Sequence, residues 1–197
     1  YVMYGLPLSL TYNTTNSLLD ATKGVRLMCS LAPYTGEFSG PFSVLRSRLD
    51  AHAFLSLASE ERLLLALRGA FGAEAGATAA QVPPSVRFYS GGGGSVRGYA
   101  YQSLGPRDAD KKALGGNVLT ETSAELRWKI TPEWGVVAFL DGGTVVDEPL
   151  KNPNMDMRWG AGIGVRYYTA IGTVRFDLAT PLNPRDDDEP VQFYISI

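Results

Sequence analysis

The stretch from 86 to 105 reads Val-Arg-Phe-Tyr-Ser-Gly-Gly-Gly-Gly-Ser-Val-Arg-Gly-Tyr-Ala-Tyr-Gln-Ser-Leu-Gly, with four consecutive glycines at 91–94. Four glycines in a row do not hold a regular element, because each loses maximal backbone entropy on ordering. Aromatic residues flank the glycines closely on both sides: Phe88, Tyr89, Tyr99 and Tyr101. A flexible linker is polar and lacks such anchors, although an engineered Gly-Ser linker is the alternative. We therefore predict a loop that folds back on itself and presents Arg97 to a buried partner.

The rest of the chain alternates apolar and polar residues with a period of two, the pattern of half-buried β-strands. The clearest case is 44–57, where Leu45 and Leu49 face one way while Arg46 faces the other. Nine such strands are predicted, at 2–12, 23–31, 44–57, 62–74, 117–130, 135–143, 160–168, 173–180 and 191–197. A short helix is an alternative over 60–67, which holds good helix formers. The sequence therefore predicts an all-β protein with antiparallel strands.

Charged residues of both signs share one face of these strands, and aliphatic residues share the other. A soluble half-buried sheet has the same alternation as a membrane barrel. The lengths of strands and connections therefore decide between these two folds. Several strands reach the ~9–11 residues that cross a membrane. Short connections such as 131–134 alternate with long ones such as 181–190, as in outer-membrane barrels. Four aromatic residues lie near the short turns, where an interfacial girdle would place them: Trp128, Trp134, Tyr167 and Tyr168. These features favour a transmembrane β-barrel.

The composition argues against several other functions. The 197 residues suffice for one domain, and a formal charge of −2 gives no sign of a nucleic-acid partner. Cys29 is the only cysteine, so no intrachain disulfide can form. His52 is the only histidine, and no nucleophile-elbow sequence accompanies it. The acidic run 186–189 does not fit a calcium loop, and the glycines lack the Lys-Ser/Thr of a phosphate loop. We predict no enzymatic activity, no metal and no cofactor.

Residues 88–99, Phe-Tyr-Ser-Gly-Gly-Gly-Gly-Ser-Val-Arg-Gly-Tyr, resemble the conserved-loop signature of the BamA/TamA superfamily of outer-membrane assembly barrels. The continuation Arg-Gly-Tyr-Ala-Tyr-Gln-Ser resembles the TamA branch more than the BamA branch. Two strand segments also resemble family motifs. These are Phe-Leu-Asp-Gly-Gly at 139–143 and Arg-Trp-Gly-Ala-Gly-Ile-Gly-Val-Arg at 158–166. The resemblance covers essentially the whole chain, most firmly 83–197.

The resemblance implies that 1–197 form the C-terminal nine strands of a sixteen-stranded barrel. The conserved lumen loop would lie at about 83–104. The family's N-terminal periplasmic domains and first strands would lie outside the chain, as would the residues that normally follow a strand like 191–197. Nine strands do not close alone in that geometry, and an open edge is an aggregation hazard. Further residues or a second copy would therefore complete the barrel.

The same signature implies a lock between the loop and the barrel wall. A buried guanidinium needs a carboxylate partner, because an unpaired buried charge is very costly. Glu125 and Asp141 share the charged face of successive strands and are the predicted partners of Arg97. Gly162 and Gly164 would leave room for the loop to approach the wall. The alternatives are an ordinary Asp-Gly turn and simple strand bending. The complete predicted lock comprises Val96, Arg97, Gly98, Tyr99, Glu125, Phe139, Asp141 and Gly143.

By resemblance, the chain is part of a bacterial outer-membrane factor that inserts or secretes client β-barrel or autotransporter proteins. Client strands would pair with the edges of the barrel seam by β-augmentation. The last strand would form one side of that seam, with the residues Gln192, Phe193, Tyr194 and Ile195. The implied partners are outer-membrane lipid, client outer-membrane proteins and a periplasmic or inner-membrane subunit. A secretion pore of the two-partner type shares these motifs, whereas a soluble β-sandwich binding module shares only the alternation.

Overall fold

The computed structural model describes residues 1–58, 61–147 and 156–197. The strands form one antiparallel sheet in which each lies beside its neighbour in sequence, with β1 and β2 both paired to β3. They are β1 (Val2–Gly5), β2 (Leu8–Asn13), β3 (Gly24–Glu37), β4 (Pro41–Ser56), β5 (Leu63–Ala75), β6 (Val118–Lys129), β7 (Trp134–Val146), β8 (Arg158–Thr169), β9 (Gly172–Pro181) and β10 (Gln192–Ser196). The prediction of an all-β antiparallel fold is confirmed. No helix in these ranges has the length and apolar character needed to cross a membrane.

Nine predicted strands become ten because the first one breaks at Leu6 and Pro7. β1 and β2 continue one register along β3. Leu6 still donates its backbone N–H to the carbonyl of Pro33 at 3.2 Å, whereas Pro7 has no N–H to give to the ladder. β3 itself runs to Glu37, beyond the predicted end at 31, because β1 and β4 pair with it on both sides there.

The segment with helix-forming residues is the strand β5, Leu63–Ala75. It pairs with β4 on one side and with β6 on the other, and both ladders run almost its full length. Tertiary pairing therefore overrides the local helix propensity of this segment, and the helical alternative is wrong from Leu63 onward. Part of the long connection predicted between β7 and β8 lies outside the described residues.

The sheet has an aliphatic face and a charged face. Leu126, Ile163 and Phe193 lie in one row across the aliphatic face, and their side chains are 44, 64 and 68 % exposed. On the charged face, Glu125 and Asp141 are buried. An exposed apolar surface of this extent marks a membrane or protein contact. The charged face is buried because the connection between β5 and β6 folds over it.

That connection, 76–117, is the lumen loop, and it is longer than the predicted 83–104. Its apolar side chains form three buried clusters, two of which include residues of the sheet. The first cluster joins loop residues to β4, the second joins the loop to β6 and β7, and the third lies within the loop. Their buried members are Phe42, Val44, Val82 and Val86; Phe88, Leu119 and Val145; and Val96, Tyr99 and Leu104. The loop therefore carries a hydrophobic core of its own and is held across several strands.

Candidate functional site

Arg97 lies at the inner end of the lumen loop and is 6 % exposed. Its Nε donates to Oδ2 of Asp141 at 2.7 Å and its Nη2 to Oδ1 at 3.0 Å, a bidentate contact. The backbone N–H of Arg97 donates to the same carboxylate at 3.1 Å. The Nη2 atom also lies 2.7 Å from Oε1 of Glu125. The structure thus brings together the three charged residues that the sequence singled out.

Asp177 of β9 is a third carboxylate partner that the sequence interpretation missed. Its Oδ2 accepts from Nη1 of Arg97 at 2.9 Å. The alternation does place Asp177 on the charged face of its predicted strand. No motif marks it, however, and the distance of 80 positions from Arg97 in the chain hides the contact. The guanidinium therefore meets carboxylates from β6, β7 and β9.

Two further arginines pair with the carboxylates around Arg97. Arg127 pairs with Glu125 at 2.7 Å, and Arg166 pairs with Asp177. Together with Arg97, three arginines pair with three carboxylates in one largely buried network, and Arg175 lies near the same charges. Burial lowers the pKa of Arg97, but the hydrogen bond to Asp141 and the surrounding carboxylate charges outweigh it, so that pKa is raised above its usual value. Paired and hydrogen-bonded charges of this kind can remain buried, whereas a single one could not.

The Arg97 guanidinium stacks on the ring of Phe139. The guanidinium carbon of Arg97 lies 3.4 Å from the centre of that ring, a cation–π contact. Gly162 lies beside this ring, and a Cβ added there would come within 2.5 Å of the Phe139 Cζ atom. The same Cβ would also collide with the backbone carbonyl oxygen of Leu178, so Gly162 makes room for β9 and Phe139 rather than for the loop.

On β8 the loop backbone approaches the wall at Gly160, not at Gly162 or Gly164. A Cβ on Gly160 would collide with the carbonyl oxygen of Arg97. Gly164 instead makes room for the side chain of Asp177. The difference arises because the ion pairs of Arg97 set the depth of the loop backbone. That depth brings it to the start of β8 rather than to its middle.

The other predicted loop residues each contact the wall or the loop itself. Gly98 adopts φ +99°, and a Cβ there would lie 2.9 Å from the carbonyl oxygen of Thr180, so both conformation and space favour glycine. A Cβ on Gly143 would lie 2.6 Å from Val96, which is fully buried. The Tyr99 hydroxyl lies 3.0 Å from Oδ1 of Asn183. The contacts of Val96, Gly98 and Tyr99 thus fix the loop on both sides of Arg97 in the chain.

Glu121 is a second anchor that the sequence interpretation missed. Its carboxylate accepts from Ser90 at 2.8 Å and from Ser95, on the two sides of the glycines. Arg68 of β5 pairs with the same carboxylate at 2.6 Å. Glu121 is in phase with Glu125 on the predicted strand, so position on the charged face was the available signal. The glycine turn is therefore fixed at its base by one carboxylate.

The last strand presents alternate residues to the loop and to the aliphatic side. Phe193 and Ile195 are 68 and 69 % exposed, whereas Gln192 and Tyr194 are half-buried on the loop side. Within the described ranges β10 pairs with β9 alone. No group of three or more His, Cys, Asp or Glu side chains in those ranges is placed to hold a metal ion. What this site offers is thus a loop anchored in the strand wall and bonded to the last strand of the sheet.

Known proteins share this arrangement of strands. An Omp85 superfamily domain matches residues 3–197 of the chain. The chain belongs to the Omp85 superfamily. It is accordingly part of an integral outer-membrane β-barrel. Its aliphatic face is the lipid face and its charged face lines the lumen.

Several Omp85 relatives cover nearly the whole chain. The outer membrane protein assembly factor BamA of Nitratidesulfovibrio vulgaris is 28 % identical over 91 % of this chain and 23 % of its own length. BamA of Neisseria meningitidis serogroup B is 28 % identical over 94 % of the chain and 27 % of its own length. A SAM50-like protein of Schizosaccharomyces pombe is 33 % identical over 92 % of the chain and 41 % of its own length. The chain thus spans about a quarter of the length of the two BamA proteins.

Solved structures show the same fold. BamA from Haemophilus ducreyi lacking POTRA domains 1–3 matches with a TM-score of 0.76 and 24 % identity, over 96 % of this chain and 41 % of that structure. CdiB from Acinetobacter baumannii matches with a TM-score of 0.64 and 17 % identity, over 98 % and 33 %. The expected position nearer to the TamA branch stays a prediction, as do the functional roles of the lock residues.

Proposed function

We propose that the chain is the C-terminal portion of the barrel of an outer-membrane protein assembly factor. In this proposal the open edge of β10 receives a strand of a client protein. The observation that carries it is the position of β10, the last strand of the sheet, which exposes Phe193 and Ile195 on its aliphatic side and hydrogen-bonds through Tyr194 to the anchored loop. An unpaired strand edge presents backbone N–H and C=O groups that template the next strand.

The barrel wall supplies the surroundings that this templating needs. On the lipid side of the edge, Phe193 and Ile195 continue the exposed aliphatic surface of β9. A client strand that pairs there would place its own apolar side chains in line with that surface, because side chains alternate along every strand. Its backbone would be satisfied by β10 as it enters the bilayer, where unpaired groups are very unfavourable. The proposed function therefore needs no chemical step and no cofactor.

The lumen loop bears on the choice between assembly and secretion. A two-partner-type pore would pass an unfolded client through the lumen. Here the buried network of Arg97, Asp141 and Asp177 holds the loop across that path. Removing one partner of a buried ion pair typically costs ~3–5 kcal/mol, so the loop is unfavourable to displace. Because a two-partner-type pore shares the loop motif, the cross-linking experiment below, and not the loop network, distinguishes client handling at β10 from passage through the lumen. A periplasmic or inner-membrane subunit would deliver the client.

A photo-cross-linking experiment tests the proposal with a matched control. A photoreactive amino acid is placed at Phe193 on β10 and, in a separate protein, at Leu126 on β6. Both positions lie in one row and face lipid. In membranes with an assembling outer-membrane client, we expect client adducts from 193 and none above background from 126. Equal yields at the two positions would contradict the proposal.

A further inference from the structure

Tyr194 is the one lumen-facing side chain of β10 that hydrogen-bonds to the loop among the described residues. Its hydroxyl accepts the backbone N–H of Gly98 at 3.0 Å and donates to the backbone carbonyl of Tyr99 at 2.8 Å. One hydroxyl thus uses both its donor and its acceptor capacity on two successive residues of the loop. The contact joins the loop segment next to Arg97 to the edge strand.

The ring of Tyr194 makes a second contact with the loop. A Cβ added to Gly93 would lie 2.9 Å from Cδ1 of Tyr194, so the glycine turn rests directly on the ring. The ring also packs against the cluster of Val137, Phe139 and Ala179. Phe139 is the residue on which the Arg97 guanidinium stacks. Tyr194 therefore lies where the glycine turn, the Arg97 site and β10 meet.

The ladder between β10 and β9 is short. β10 pairs five residues with β9, whereas β9 pairs ten with β8. The other lumen-facing residues of β10, Gln192 and Ser196, make no side-chain hydrogen bond within the described ranges, unlike Tyr194. A short edge strand with few ladder bonds opens locally more easily than a central one. The contact of Tyr194 with the loop thus adds two hydrogen bonds to a short ladder in holding β10 in place.

We propose that Tyr194 is a positioning residue that couples the lumen loop to the edge strand. When the loop is seated on the Arg97 network, Tyr194 holds β10 against β9. When the loop leaves that seat, β10 loses both hydrogen bonds and its contact with the glycine turn. Its ladder with β9 then opens more often. Because such coupling is reciprocal, a change in β10 also loosens the loop. The consequence for client strands rests on the proposed function, but the coupling itself does not.

The coupling is measured by hydrogen exchange on the full-length protein in lipid nanodiscs, without any client. Tyr194→Phe keeps the ring and removes the hydroxyl. It should raise the exchange rate of backbone amides in 191–197 and in 96–99, each by roughly tenfold, because two ordinary hydrogen bonds are lost. Ser196→Ala on the same strand is the control and should change neither segment. Faster exchange in 191–197 with no change in 96–99 would overturn the coupling.

A second variant separates coupling from a local packing defect. Arg97→Lys releases the loop from its carboxylates without touching β10. With Tyr194 present, it should raise exchange in 191–197; with Phe at 194, it should add little. An equal increase in both backgrounds would overturn the role of Tyr194. If the exchange results hold while cross-linking at Phe193 yields no client, the coupling stands and the proposed client pairing fails.

Discussion

Arg97 and Asp141 are joined by three hydrogen bonds, two from the guanidinium and one from the backbone N–H of Arg97. A bidentate contact of this kind fixes the plane of the guanidinium as well as its position. The third bond fixes the loop backbone relative to the same carboxylate. Asp141 therefore determines how deep the loop sits in the lumen, and Glu125 and Asp177 also pair with Arg97.

Arg97→Lys is expected to loosen the loop although the charge is kept. A lysine ammonium lacks the planar fork and does not reach Asp141, Glu125 and Asp177 together. Arg97→Ala should destabilise the seated loop by ~3–5 kcal/mol, because three buried carboxylates lose a partner. Protease accessibility of the loop in intact membranes measures both. Arg62→Lys, on an exposed arginine, is the control and should leave the digestion pattern unchanged.

Asp141→Ala should expose the same loop, and its effect should not add to that of Arg97→Ala. Both substitutions remove the Arg97–Asp141 contact, so the double variant should be less than additive. Thermal unfolding of the three variants in detergent gives the interaction energy. Additive losses would show that Arg97 and Asp141 act separately.

Asp177→Asn tests the carboxylate that only the structure revealed. The variant keeps the size of the side chain but leaves Arg97 and Arg166 with one fewer negative charge. We expect a loss of stability of ~1–3 kcal/mol, close to that of an unsatisfied buried hydrogen-bond partner. Asp186→Asn in the outer connection is the matched control. Equal melting temperatures for the two variants would contradict the assigned role of Asp177.

Gly160→Ala is expected to lift the loop from the wall. The added methyl group would collide with the carbonyl oxygen of Arg97, and overpacking of this kind costs ~1–3 kcal/mol. Gly94→Ala is the control, because a Cβ at Gly94 meets no atom within 4 Å. Loop exposure to protease should rise in the first variant and stay unchanged in the second.

Leu126→Arg tests the lipid face. An arginine on the lipid side near the bilayer midplane destabilises a barrel by ~2–4 kcal/mol, and the effect falls to ~0–1 kcal/mol near the interface. Ile171→Arg, at the short turn between β8 and β9 and 85 % exposed, should therefore be nearly neutral. Unfolding in urea from lipid vesicles measures both. Similar losses of stability at the two positions would contradict the assignment of Leu126 to the lipid face near the midplane and of Ile171 to the interface.

The alternation of the sequence was sufficient to predict most strands and their two faces, because side chains alternate between the faces along a strand, although β2 is exposed along its whole length. The alternation failed at Pro7, where a proline breaks the ladder but not the register. The family signature around Arg97, together with the position of Glu125 and Asp141 on the charged face, was sufficient to predict these two carboxylates as partners of Arg97. Asp177 and Glu121 were missed because many charged residues share the lumen face, and only the depth of the folded loop selects among them.

The central claim, that a client strand pairs with the edge of β10, is tested most directly by its register. Cys29, the single native cysteine, is first replaced by serine. A cysteine at Phe193 or at Ile195 is then oxidised against a cysteine moved one residue at a time along the client strand. Strand pairing predicts one sharp maximum for each site, and the two maxima should differ by two client residues. A broad pattern without a maximum, or maxima that do not shift, would contradict the account.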